Sequence, residues 1–228
     1  MEKISKTQID KIGDHLRKKL RNEEDLRVLD DYRRSFGEAY EEVVRTIREK
    51  LNLQPTGRPA KSTSSIIEKL HRESIRLSQV QDIAGCRIIV ADVREQDKVI
   101  TQLREYFPSA SVVDRRLHPS YGYRAVHVII KILEKLVEVQ IRTELQHGWA
   151  ELSEKFSDEV DPGIKYGGGD KWILKTLYSF SKLVENYERI ERDIPDISGK
   201  SEMVNLKREI AELINRHKKN FLKLEEPL

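Results

Sequence analysis

Leu136-Val137-Glu138-Val139-Gln140-Ile141-Arg142 alternates apolar and polar side chains along its whole length. A side-chain period of two belongs to a β-strand, so Glu138, Gln140 and Arg142 share one face while Val137, Val139 and Ile141 share the other. A single acid in a strand ordinarily points to solvent. A row of polar groups on one face of a central strand instead predicts a wet cleft.

Outward from this stretch, other apolar runs supply partners for it. Ile83 to Val90 is short, branched and apolar, which suits a buried strand, and Asp82 precedes it. Val112-Val113 and Tyr123 to Ile132 read as two further strands, with a helix from Val93 to Phe107 between the first strand and these. After Thr143, Leu145, Trp149, Leu152 and Phe156 recur at helical spacing, and Trp149 reads as core. Gly167-Gly168-Gly169 is a loop, Lys171 to Arg192 a long helix, Pro195 to Gly199 a break, and Glu202 to Leu224 a last helix. On the N-terminal side, Lys6 to Leu53 reads as helix, with Ile9, Ile12, Leu16 and Leu20, then Phe36, Tyr40, Val43 and Ile47, on its apolar face. Gln54 to Pro59 breaks it, and Ser62, Ser64 and Ser65 open a new helix whose free amides they can cap. The expected fold class is α/β of the α+β type: a mixed central β-sheet flanked by helices, with a core over 55–192 and helical extensions over 1–54 and 193–228.

Composition narrows the function. Of 228 residues, 38% are hydrophobic and 36% charged, yet the net charge is only +3, which argues against a protein that coats nucleic acid and leaves room for a local basic cleft. The single cysteine, Cys86, has no partner for an internal disulfide and predicts a reduced, cytoplasmic setting. No apolar stretch approaches membrane-spanning length, and Met1-Glu2-Lys3 does not open a signal peptide, so no membrane association is expected.

Several residues could carry chemistry on phosphates. Asp82 and Glu138 could supply oxygen ligands to a metal. Arg58, Lys61 and Lys69 lead into or lie on the Ser-capped helix, whose N-terminus favours anions, and Arg87 stands on the same strand run as Asp82. Ser65 is a helix cap or a ligand on this reading. Tyr121-Gly122-Tyr123-Arg124-Ala125-Val126-His127 combines aromatic faces, a flexible glycine and polar tips, a set suited to stacking on a nucleobase. Neither a Walker A pattern nor a kinase glycine-rich loop occurs; Gly167-Gly168-Gly169-Asp170-Lys171 lacks the spacing.

These pieces together resemble a known family. Arg58-Pro59-Ala60-Lys61 with Ser65 to Leu70, Gln81 to Ile89, Gly122 to His127, Glu138 to Thr143, and His147 to Ser153 resemble, in order and spacing, the motifs of the RelA/SpoT-type nucleotide pyrophosphokinases, the alarmone synthetases. The resemblance implies that the β,γ-diphosphate of ATP moves to a ribose 3′-hydroxyl of GDP or GTP, a stringent-response reaction. By the same resemblance, Arg58 and Arg87 would flank the adenine, while Lys61, Ser65 and Lys69 would meet the ATP phosphates. Asp82 and Glu138 would hold Mg²⁺, with Glu138 also the base. Tyr123 would stack on the acceptor base near His127, with Arg124 beside it.

The match departs from the family at three places. Arg58 stands three residues before Lys61 where the family has a two-residue step. The Lys that precedes the Gly-Tyr of the acceptor loop in guanosine-alarmone makers is missing, leaving Arg115 and Arg116 as substitutes from another position. The His-Asp pair of the hydrolase half is absent, so synthesis without hydrolysis is expected. The missing Lys also keeps open an alternative, a toxin that pyrophosphorylates the 3′ end of tRNA. That acceptor would call on Arg17-Lys18-Lys19 and Arg216-His217-Lys218-Lys219, which otherwise read as solvated helix faces. A catalytically inactive nucleotide- or RNA-binding module is the remaining reading. The expected partners are ATP and an acceptor nucleotide; a second copy of the chain or an antitoxin protein stays open.

Overall fold

The computed structural model describes residues 4–18, 20, 22–194 and 196–220. Met1-Glu2-Lys3, Lys19, Pro195 and the Phe221–Leu224 end of the last helix lie outside the described residues.

The run from Lys6 to Leu53 is not one helix but three: α1 (Lys6–Arg17), α2 (Glu23–Arg34) and α3 (Gly37–Lys50). Asn22 adopts an extended backbone, and its side chain accepts from the Asp25 amide at 2.8 Å while Asp25 accepts from the Asn22 amide. That reciprocal capping box starts a fresh helix inside a sequence whose apolar spacing carries on regardless. A second difference lies in the Gln54–Pro59 break, which contains a short strand, β1 (Thr56–Arg58). It pairs antiparallel with β2 (Ala84–Val90), Thr56 facing Arg87, Gly57 facing Cys86 and Arg58 facing Gly85. A Cβ on Gly57 would lie 2.4 Å from the Gly85 carbonyl oxygen, so this pairing needs a glycine there.

The chain continues through α4 (Thr63–Arg72), α5 (Val93–Tyr106), β3 (Ser111–Asp114), β4 (Val126–Ile132), β5 (Lys135–Thr143), α6 (Glu144–Glu159), α7 (Lys171–Asp193) and α8 (Ser201–Asn220). The strands form a mixed five-stranded sheet in the order β1-β2-β5-β4-β3, flanked by helices, as the sequence predicts. β4 begins later than the apolar run at Tyr123, because Tyr121 and Gly122 take positive φ (53° and 90°) and close a tight turn in which the Tyr123 amide donates to the Ser120 carbonyl at 2.9 Å. Leu133 and Glu134, also at positive φ (49° and 57°), form the two-residue link between β4 and β5.

By its internal contacts the chain divides into two compact units: Met1–Ile88, Gln102–Val112 and Val128–Gln140, and Ile89–Thr101, Val113–His127 and Ile141–Leu228. In the first unit α1 packs on α2 and α4, and Leu16, Leu29, Ile47, Ile66 and Leu70 are fully buried. Each such side chain contributes about 1.5–3 kcal/mol on leaving water. In the second, α6, α7 and α8 enclose Trp149, Phe156, Leu177, Phe180, Ile210 and Ile214. The Trp149 indole nitrogen donates to the Leu177 carbonyl at 2.7 Å, so this ring is core. No helix among the described residues is long and apolar enough to cross a membrane.

Candidate active site

In the first unit the charged residues of the sequence motifs converge. Lys61 donates to one Asp82 carboxylate oxygen at 2.6 Å, and Lys69 donates to the other at 2.9 Å. The backbone makes this possible. The Lys61 amide donates to the Ile83 carbonyl at 2.6 Å, which ties the loop after β1 to the segment entering β2. Ser62, not Ser65, caps α4: its hydroxyl accepts from the Ser65 amide and donates to the Ser65 hydroxyl at 2.8 Å. Lys69 then lies in the last turn of α4, two helical turns along from Lys61, on the side that faces Asp82.

The three side chains are about one-fifth exposed (17%, 18% and 21%), so their charges act in a partly dry setting. Burial works to raise the Asp82 carboxyl, but Lys69 and Lys61 outweigh it and hold the group below the usual carboxylate range. Two ammonium groups against one carboxylate leave a positive charge in excess, which suits an anion. Glu73 approaches Lys69 only at 3.9 Å and offsets little of it.

Glu138 is half-buried on β5, where its carboxylate accepts from Gln140 at 2.7 Å. Gly85 lies against it: a Cβ built there would be 2.9 Å from the Glu138 carbonyl oxygen and 3.5 Å from its Cβ. The glycine therefore lets the β5 backbone run tight against β2 at the residue that matters. Glu138 also makes itself felt at Cys86, whose buried thiol is pushed up to about 12 by desolvation first and by that carboxylate second. Arg58 is exposed and Arg87 half-buried, and each stands opposite a β1–β2 partner next to Gly57 and Gly85. Asp82 and Glu138 are the acidic side chains here that could hold a divalent cation; among the described residues no three His, Cys, Asp or Glu side chains gather at one point.

The second unit holds the other predicted set. The Tyr123 hydroxyl and His127 Nε2 are 2.9 Å apart, and Arg142 donates to the same hydroxyl at 3.0 Å while its guanidinium sits 5.1 Å from the Tyr123 ring centre. Arg142 can only donate to the hydroxyl oxygen, and the direction of the Tyr123–His127 bond follows the imidazole tautomer. The imidazole packs edge-on to the tyrosine, with ring centres 5.7 Å apart. Tyr123 is thus held by two side chains at a fixed angle.

Arg124 and Arg116 are placed differently. The Arg124 side chain is 5% exposed and spends its nitrogens on Ser181, the Arg116 carbonyl and Glu185. Arg116 bonds Asp114, Asp97 and Gln96. Both brace the loop that carries Tyr123. The Arg115 amide donates to the Ala125 carbonyl at 3.0 Å, and its side chain is half-buried. The basic stretches near the chain ends are also partly structural. Arg17 donates to the Leu70 and Ile75 carbonyls, Lys218 pairs with Glu151 at 2.9 Å, and the His217 ring packs on Phe180. Sequence reasoning had no hold on Arg33, which contacts the Lys61 loop from α2, because nothing in its local pattern marks it.

Residues 57–157 match the family model described as a region found in RelA / SpoT proteins. The small alarmone synthetase 1 of Bacillus subtilis superposes with a TM-score of 0.53 at 26% identity, covering 84% of this chain and 100% of that one. A GTP pyrophosphokinase family protein of Streptococcus pneumoniae shares the fold, with a TM-score of 0.55 at 24% identity over 84% of this chain and 98% of its own. Uncharacterized proteins of Mycobacterium tuberculosis and Mycobacterium bovis are 40% identical over 112 residues, 47% of this chain, and the match spans 41% of their length. The stretch that holds Lys61, Lys69, Asp82, Glu138 and the Tyr123 turn is thus the part of the chain that is similar to RelA / SpoT proteins.

Proposed function

We propose that the chain is an ATP-dependent pyrophosphokinase that transfers the β,γ-diphosphate of ATP to the ribose 3′-hydroxyl of a guanine nucleotide. The observation that carries this reading is the convergence of Lys61 and Lys69 on Asp82, at 2.6 and 2.9 Å, in the stretch similar to RelA / SpoT proteins. Phosphoryl-type transfer asks the protein mainly for positioning and for charge stabilisation. Lys61 and Lys69 supply cations for the transferred phosphates. Arg58 and Arg87 hold the adenine, and Ser65 stands in the first turn of α4 for a phosphate oxygen.

The acidic pair suits Mg²⁺, which binds through one or two carboxylates and completes its shell with water and substrate phosphates. Each Asp82 oxygen keeps a second lone pair beyond its lysine bond. Mg²⁺ bound with ATP would neutralise charge that develops on the phosphates. The remaining work falls to Glu138, whose carboxylate takes the proton of the acceptor 3′-hydroxyl. The hydroxyl oxygen bonds to the β-phosphorus, and the bond from that phosphorus to the oxygen bridging it to the α-phosphorus breaks. AMP leaves with that oxygen. Tyr123, fixed by Arg142 and His127, offers a ring on which the acceptor base stacks.

The acceptor is decided by incubating the chain with γ-labelled ATP and, separately, GDP, GTP, ATP or bulk tRNA. Label in the GDP or GTP product is the expected result. Label on tRNA alone would replace the nucleotide acceptor with an RNA end, and no label in any pool would contradict a transferase.

A further inference from the structure

Arg33 of α2 and Arg17 of α1 lie outside the family-matched stretch, yet both end on the segment that carries the two site lysines. Arg33 Nε donates to the Lys61 carbonyl at 2.6 Å, and its Nη1 donates to the Thr63 hydroxyl at 3.2 Å. Asp30, one turn earlier on α2, holds the same Nη1 at 2.9 Å, and the Arg33 side chain is 19% exposed. Arg17 grips the other end. Its Nε donates to the Leu70 carbonyl at 2.9 Å, and its Nη2 donates to the Ile75 carbonyl.

Those acceptors are not arbitrary. The last carbonyls of a helix have no partner inside it, and Leu70 is in the last turn of α4, next to Lys69. The Lys61 carbonyl belongs to the loop just before the cap, where the chain would otherwise be free to swing. One arginine therefore fixes where α4 starts and the other where it ends. Lys61 and Lys69 stand inside that span, and both must meet one diphosphate-bearing ligand. A guanidinium presents its donors in a rigid fork, so two bonds from one head set an angle as well as a distance.

We propose that Arg33 and Arg17 are positioning residues for donor binding: they hold α4 from both ends and so set the places of Lys61 and Lys69 at the ATP phosphates. The N-terminal helices are then part of the donor site and not a detachable extension. This rests on the pyrophosphokinase reading, since it names what those lysines bind.

The test is steady-state kinetics and equilibrium ATP binding for Arg33→Gln, Arg33→Lys and Arg17→Gln in the full chain. Arg27→Gln serves as control, because the Arg27 side chain on α2 is 81% exposed and pairs with Glu23 on its own helix. Loss of charged-donor bonds to the loop predicts that Arg33→Gln raises the ATP KM and Kd about tenfold or more, with the acceptor KM unchanged. Arg33→Lys, which keeps one donor and the charge, recovers part of that, and Arg17→Gln moves ATP binding the same way. A uniform loss of activity with both KM values unmoved, or equal rises for donor and acceptor, would overturn the positioning role. If Arg33→Gln does not fold, Arg33→Lys and Arg17→Gln decide by the same split. Wild-type AMP release is measured alongside: its absence contradicts the pyrophosphokinase reading, whereas an active wild type with unchanged ATP binding in the variants overturns this inference alone.

Discussion

Asp82 and Glu138 are both carboxylates, and the proposed reaction gives them different work. Asp82 takes one lysine ammonium group on each oxygen, and these keep it ionised against the pull of burial. Glu138 is half-buried and accepts from the side-chain amide of Gln140, which orients the carboxylate. In the proposed reaction Glu138 takes the proton of the acceptor hydroxyl. Glu138→Gln keeps the shape of the side chain and removes the base. Loss of a general base typically costs about 10²–10⁴-fold in rate, so kcat should fall into that range while the thermal transition stays near that of the unmodified chain. Turnover within tenfold of the unmodified chain, with the fold intact, would remove Glu138 from the mechanism.

The elements that serve the site are set by short, local devices. The Ser62 cap of α4 and the Thr143 cap of α6 stand one residue after Lys61 and Arg142, and the capping box at Asn22 starts the helix that carries Arg33. The link from β4 to β5 is made with residues ill-suited to it. Leu133 and Glu134 both sit at positive φ, which costs an ordinary residue on the order of 1 kcal/mol or more. Replacing them with Asn-Gly, the pair that two-residue turns of this hand prefer, should relieve that strain. The double variant Leu133→Asn with Glu134→Gly should raise the thermal midpoint by about 2–4 °C for each kcal/mol gained, with kinetics unchanged. A lower midpoint would mean that Leu133, 55% exposed, makes a contact the turn depends on.

At the scale of the molecule, what could be read from the sequence was what repeats locally. β5 announced itself by its period of two, and the run from Gly57 to Ser157 carried its motif residues in family order. The caps, turns and charged clusters that depend on distant residues were hidden. β1 is a three-residue exposed strand with a glycine in the middle, so no periodicity could reveal it. Arg33 reaches a loop 28 residues away and Arg17 a helix end 53 residues away, and on their own helices they look like ordinary solvated charges. Arg124 and Arg116 also brace the Tyr123 turn, through carboxylate and carbonyl partners that no local pattern reveals. The account of function stands on a diphosphate, and not a single phosphoryl group, being the unit moved, and one nucleotide balance tests that most directly. With ATP and GDP supplied together, AMP should appear in equal amount to a guanine nucleotide carrying the γ-label, and no ADP should accumulate. ADP formed in step with the labelled product, or ATP left unconsumed, would contradict it.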